Sequence, residues 1–418
     1  MHRSEVLTAI VAVAMFAIPT VLIGAQEDSR DVKRRDASGY HIIYRDGKWG
    51  YVNNTGQVVI VPRFHWAEDF FEDRAAVQEG DGSSGKCGYI RPDGSWVVEL
   101  AASAFPSSHY SEGRAWYHQW IGKSLRFGCV DAEGRSVLSP TYGDCKPFSE
   151  GLSAVMTGPS AAELEAFGGS FEDLSSRRRW GFVDLEGHVV ISFEYESIEP
   201  FSNGMALAKR TGEDHSAFID HRGQAVIPLA QFALRSMPIV TGHSFQQERA
   251  MLSLFDGIAK SRRCLIDTSG QIVWQSDDIY LAPFSCGLAQ AGTRNAEKVG
   301  FVNLQGQNVI PPKFERAGNF REGLCRVLDG GKWQYIDATG AVICAGVGEH
   351  SWNDAEDFYC GLARVHIGGQ LHKEFDGRTW WSGGDWYYID RRGAIVVLCR
   401  SDEDKLVKPW FGEESGGR

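Results

Sequence analysis

The sequence predicts an all-β fold: a tandem-repeat array of about nine three-stranded β-meanders. Three observations carry that reading. A string of the form aromatic-Gly-aromatic-apolar-Asp-x-x-Gly recurs along the chain, each copy is followed by a short apolar run, and most then reach a Phe-x-x-Gly-Leu-Ala element. The first copy is Trp49-Gly50-Tyr51-Val52-Asn53-Asn54-Thr55-Gly56, followed by Val58-Val59-Ile60-Val61-Pro62. The fourth is Trp180-Gly181-Phe182-Val183-Asp184-Leu185-Glu186-Gly187, and the seventh runs from Gly300 to Gly306. Turn glycines fall at Gly56, Gly94, Gly134, Gly187, Gly223, Gly270, Gly306, Gly340 and Gly393.

Each copy reads as strands for local reasons. The segment before the turn is rich in aromatic and β-branched residues, which suit a pleated surface. Asp-x-x-Gly then turns the chain, because the carboxylate bonds backbone N–H groups two residues on and glycine accepts positive φ. The returning strand stops at Pro62, Pro140, Pro228 or Pro311, since proline cannot donate to a ladder. A third strand follows the Phe-x-x-Gly element, as at Leu152 to Val155 and Leu362 to Val365. One such unit buries too little apolar surface to stand alone, so neighbours must stack. Nine short units favour an open superhelical, solenoid-like assembly, with a closed propeller-like toroid as the alternative.

The recurring string resembles the WG-repeat (KWG-repeat) family, and the resemblance runs from Tyr40 to Val397. Copies depart from it: Ala217, Cys264, Gln334 and Tyr387 replace the second-position glycine, and Cys87, Phe127, Ser216, Arg263 and Val299 replace the tryptophan. The resemblance implies a β scaffold and names no ligand.

Around the array, residues 1–25 read as a secretory signal peptide, 26–39 as a linker, 40–400 as the repeats and 401–418 as a flexible tail. Leu7 to Ile23 form one apolar run behind Arg3, and cleavage is expected after Ala25. A retained anchor is the other reading. It would leave the body in the cytoplasm, because Lys33, Arg34 and Arg35 follow the run. The first reading implies an extracytoplasmic protein, periplasmic or secreted, with no membrane insertion after cleavage.

The net charge of −11, with no basic stripe, speaks against nucleic acid as a partner. Nine cysteines without a C-x-x-C spacing suggest no zinc ribbon, and no cofactor or metal is expected. Asp131, Asp184, Asp220, Asp267, Asp337 and Asp390 occupy one turn position in six copies, whereas a catalytic pair needs two different environments at one place. They are read as turn formers, and Trp49, Trp180, Trp333 and Trp386 as fillers between sheets rather than a sugar ladder.

Function is expected where the repeat is interrupted: Gly158 to Arg179, with the basic run Arg177-Arg178-Arg179, Leu229 to Gln247, and His366 to Asp385. The last holds Trp380-Trp381, the candidate ligand-binding residues, beside His366, His372, Glu374 and Asp376, whose spacing does not suggest a metal site. The expectation is a non-enzymatic scaffold binding a protein or cell-envelope glycan. The alternative is a polysaccharide hydrolase using acids such as Glu163 or Glu374.

Overall fold

The computed structural model describes residues 39–401 apart from 81–84, 102, 123, 158–177, 235, 236, 238, 256–260, 294–297, 347–350 and 374–378. The segment read as a signal peptide and nearly all of the tail therefore lie outside the described residues. What is described is nine antiparallel meanders in series, with one 3-10 turn at Leu229–Phe232. Unit six shows the plan. A leading strand Ile239–Gly242, a second Arg249–Phe255, a third Ser261–Asp267 and a last Ile272–Ser276 are hydrogen-bonded in that order.

The three strands expected from the sequence are the second, third and last; the short leading strand is an addition. Ile239–Gly242 lies inside the stretch read as connection, because four residues carry too little pattern to stand out. In unit two the leading strand is the far half of its neighbour's last strand. Val58–Ala67 pairs first with Lys48–Asn53 and then, from Phe64 on, with Ala75–Glu79. Such sharing fuses units one and two, and likewise four and five, into sheets of six and seven strands.

The Asp-x-x-Gly turn folds as its chemistry demands. Asp184 Oδ1 accepts the N–H groups of Glu186 at 3.0 Å and His188 at 2.8 Å, while Gly187, at φ +89°, donates its N–H to the Asp184 carbonyl. This is a three-residue hairpin loop closed by a left-handed glycine. Asp131, Asp220, Asp267, Asp337 and Asp390 accept the same pair of N–H groups, and Asn53 and Asn303 do so with an amide oxygen.

Register explains the glycine that precedes the buried aromatic. In unit one Trp49 faces Phe64 and Tyr51 faces Ile60, so the last strand bulges opposite Gly50. A Cβ there would stand 2.6 Å from both the Ile60 carbonyl oxygen and the Pro62 nitrogen. Gly128, Gly181 and Gly300 face bulges of the same form, with a carbonyl oxygen 2.8, 2.6 and 2.3 Å from the added Cβ. Where pairing is regular, at Ala217 opposite Pro228, Cys264 opposite Gln275 and Gln334 opposite Ala345, a side chain is admitted. These three departures from the motif are thus in units without that bulge, whereas Tyr387 of unit nine stands beside a one-residue bulge between Leu398 and Arg400.

Both faces of every sheet are buried. In unit four Phe182 enters a core with Phe201, Ala206 and Ile219 of unit five, while its neighbour Val183 enters one with Trp116 and Cys129 of unit three. Adjacent strand residues face opposite ways, so each third strand fills two successive cores. The pattern holds for all nine units and nine cores.

The ninth core joins the chain ends. Ile43 and Val52 of unit one pack with Leu362, Tyr388 and Cys399 of unit nine. The Tyr388 hydroxyl donates to the Ile42 carbonyl at 3.0 Å, as the equivalent Tyr51 and Tyr89 hydroxyls donate to Glu68 and Ser108 of their following units, each at 2.7 Å. Gly56 lies against Val396 and Val397 of unit nine just as Gly94 lies against Ile60 of unit one. Of the two arrangements compatible with the repeat, the array takes the closed one.

Closure makes a long-range prediction. Ile43→Ala, at a fully buried site, should cost about 2–5 kcal/mol. It should also speed amide exchange in Leu362–Ile367, more than 300 residues away in sequence. Unchanged exchange in that strand would mean that the ends do not support each other.

Candidate functional site

A four-strand meander puts its leading-to-second and third-to-last turns at one end of the sheet. The second-to-third turn and the link to the next unit lie at the other. The two ends of this ring differ sharply.

The first end is tied unit to unit. Two-residue turns join leading and second strands, both central residues taking positive φ, as at Glu72-Asp73 (51° and 55°) and Glu112-Gly113 (55° and 72°). The Glu72 carboxylate accepts the N–H groups of Glu112 at 2.6 Å and Gly113 at 2.7 Å in the next unit. Glu112 does the same for Glu150 and Gly151, and Glu150 for Gly204. Gln247 accepts from Gly287, and Glu322 from Gly361. Beside this ladder Ser111, Ser149 and Ser285 donate to Phe148, Phe201 and Phe320 carbonyls at 2.6–2.7 Å. A carboxylate bonded to N–H groups forms the stronger, charge-assisted kind of hydrogen bond, and it offsets the cost of a non-glycine residue in the left-handed region.

The first and third interruptions of the repeat, and the first part of the second, leave and rejoin the strands at the second end. Residues 157–179 join the second and third strands of unit four, 229–238 link units five and six, and 368–384 join the second and third strands of unit nine. Trp120 and Ile121, 56 % and 51 % exposed, stand at a hairpin tip on this end, and Leu234 is exposed in the link between units five and six.

Within the third interruption, Gln370–Lys373 and Thr379–Ser382 form a separate two-stranded hairpin in which His372 pairs with Trp380 and Leu371 with Trp381. The side chains of Trp380 and Trp381, like Glu374 and Asp376, lie outside the described residues. His366 is buried in the preceding strand, its ring 5.2 Å from that of Trp386, and His372 bonds the Ser382 hydroxyl at 2.6 Å. Among the described residues no group of three or more His, Cys, Asp or Glu is placed to hold a metal.

The recurrent residues are engaged in structure. Trp49, Trp180, Trp333 and Trp386 are half-buried at core margins, the ring two residues on being the deep one, and Lys146 and Arg326 lie over Trp180 and Trp333 at 5.6 and 5.7 Å. Glu163 lies outside the described residues. Two other carboxyls, Asp144 and Asp354, are pushed up by burial, but they stand in leading strands of units four and nine, which are not neighbours. All nine cysteines are free. Cys129 and Cys325 are buried as expected of small apolar substitutes, with Cys129 pushed up to about 12 by burial, whereas Cys286 is exposed at a turn.

One repeated unit, closed on itself through nine shared cores, defines a β-repeat ring protein. The chain contains WG repeats: the family model for the WG containing repeat matches residues 49–82, 127–158, 180–212 and 300–333. These are units one, three, four and seven, the four whose glycine faces the bulge. No curated protein matches the chain. Among solved structures it is similar to a Bacteroides caccae protein of unknown function, at 12% identity and TM-score 0.25 over 54% of this chain and 91% of that one. It is also similar to the acylaminoacyl peptidase of Pyrococcus horikoshii (11%, TM-score 0.35, 70% and 52%). A third is prolyl oligopeptidase B of Galerina marginata (12%, TM-score 0.38, 90% and 54%). The chain spans about half the length of these two peptidases.

The turn aspartates set an acid limit. In Asp267 and Asp337 the Ser269 and Thr339 hydroxyls, joined by backbone N–H groups, hold the carboxyl below its usual range. In Asp131, Asp184 and Asp390 burial pulls upward but is outweighed by backbone N–H groups and by Arg135, His188 and Arg392. Folded pKa values below the unfolded value of about 3.9 stabilise the fold above that pH, and this stability is lost as pH falls through the folded values. Circular dichroism should show unfolding that steepens below about pH 4, and Asp267→Asn with Asp337→Asn should flatten it. An acid limb unchanged in that variant would remove the turns from the account.

Proposed function

We propose that this chain is an exported, non-enzymatic scaffold that holds a protein or cell-envelope glycan on the end of the ring carrying its interruptions. One observation supports the reading above others: the ring divides into an end locked by turn-to-turn hydrogen bonds and an end where the long insertions and the exposed Trp120 hairpin collect. A rigid frame that displays variable loops is how repeat scaffolds present a binding surface. The recurrent carboxylates favour the same reading, since each is spent on the backbone of its own turn.

Export rests on the N-terminal sequence alone. Purified protein from the natural host should begin at Gln26, and a retained Met1 would replace a released scaffold with an anchored one.

The binding test is a glycan-array screen and pull-down with the full chain, run beside Trp380→Ala/Trp381→Ala. A ligand retained intact and lost in the double variant supports the scaffold and places the site on the unit-nine hairpin. A ligand cleaved during incubation overturns it in favour of a hydrolase.

A further inference from the structure

We propose that the projecting hairpin of unit three, tipped by Trp120 and Ile121 and flanked by Arg126 and Arg178, is a docking site for an acidic, apolar-anchored segment of a protein partner. The proposal rests on the scaffold reading above and supplies it with a partner chemistry.

Length is the first argument. The hairpin's strands, Arg114–Ile121 and Ser124–Asp131, have eight residues each and pair without a break from Arg114 opposite Asp131 to Ile121 opposite Ser124. The corresponding strands have five residues in units four and eight, six in units one and nine and seven in unit six. Against units four and eight, three extra pairs at about 3.4 Å each carry the tip roughly 10 Å further out. Holding the neighbouring core requires no such extension.

The second argument is continuity. Trp116 with Cys129, His118 with Phe127 and Trp120 with Leu125 are opposed pairs on one face. The first pair is fully buried against Phe148, Val155 and Val183. The His118 ring is 5.9 Å from Phe127 and stacks on Phe105 at 5.8 Å. An aromatic strip thus runs from the core to an exposed tryptophan. A tip anchored in this way has few conformations to lose on binding, which favours affinity.

Charge chooses the occupant. Arg126, opposite Gln119 near the tip, is held below its usual range by burial and by the Arg178 guanidinium of unit four. Among the described residues, Arg178 Nε is buried without a hydrogen-bond partner. Asp144, its carboxyl pushed up by burial, interacts with Lys146 and Arg178 and is one counter-charge set against three cations, Arg126 included. In a chain of net charge −11 this is a local concentration of positive charge beside an exposed aromatic. Tryptophan and arginine together are the side chains that dominate protein–protein hot spots, and complementary potential selects an acidic partner. The remaining acidity opposes nucleic acid, which would need a longer basic track.

The test uses the full chain and three probes: a dye-labelled peptide alternating Asp/Glu with Leu/Phe, the same peptide with Lys at the acidic positions, and phosphatidylserine vesicles. The acidic peptide should bind with an affinity that falls as salt rises, and the lysine peptide and vesicles should not. Trp120→Ala and the pair Arg126→Glu/Arg178→Glu should each weaken it at least about tenfold, equivalent to ~1.4 kcal/mol. Arg126→Lys should restore most of the loss that Arg126→Glu causes alone. Each variant is checked by thermal melting, and Ile121→Ser, wholly at the tip, serves where Trp120→Ala melts early. Equal binding of the two peptides, no binding, preference for vesicles, or affinity unmoved in melting-competent variants would overturn the proposal. A ligand retained in the glycan and pull-down screen by the Trp120→Ala protein would then leave the scaffold standing without this site.

Discussion

The structure depends on two adjacent residues of each third strand facing opposite ways into two cores. Phe182 belongs to the interface with unit five and Val183 to the interface with unit three, and no unit has a private core. A meander whose two faces are both apolar cannot remain alone in water, and burying one face still leaves the other exposed. The only arrangement that buries all of them is one without terminal units. Open repeat arrays instead need caps with a polar outer face. Here Val52 and Tyr388, the residues that would face outward from units one and nine, are as apolar as their equivalents elsewhere and meet each other.

This logic also shows what was legible in the sequence. The strands, the Asp-x-x-Gly turns and the repeat limits could be read because each rests on local chemistry: an aromatic pair, a carboxylate two residues from its N–H partner, a glycine at positive φ. Closure could not be read, because it depends on the angle between successive sheets, which no single motif encodes. A clue was nonetheless present, since neither terminal copy replaces its apolar pair with polar residues. The leading strands were missed for a different reason. Asp144–Cys145 and Arg316–Ala317 are two residues long and owe their conformation to the second strand they pair with. The glutamates that bridge one turn to the next were equally invisible, because Glu72 and Glu112 are 40 residues apart in the chain. Of the candidate site, the interruptions were visible as breaks in the period, but their common end follows only from strand order.

The division between the two ends follows from where the units approach each other. Turns of adjacent units are close enough for Glu112 to reach the backbone of Glu150 and Gly151, so inserted residues there would break a hydrogen-bonded ladder. Among the described residues no such ladder joins the second-to-third hairpins, which run from the two-residue Asp46-Gly47 turn of unit one to the long connection of unit nine. Loop closure costs little more for a long loop than for a medium one, so insertions accumulate where the frame tolerates them.

One recurrent surface feature looks like a second binding face but has a different cause. Val58, Val189, Val226, Ile272, Val309, Val342 and Ile395 are all exposed just after the Asp-x-x-Gly turn, each on a last strand. A row of β-branched residues on edge strands invites pairing with other chains. Three of these strands are blunted by a proline that removes a donor, Pro62 beyond Val58, Pro228 beyond Val226 and Pro311 beyond Val309, and the strand of Val189 is paired on both sides. The exposed valines therefore act through strand propensity, holding the returning strand extended against the third, while the prolines deny the edge to a partner. The Trp120 tip differs from them: among the described residues it recurs in no other unit, and its two strands are the longest pair of second and third strands.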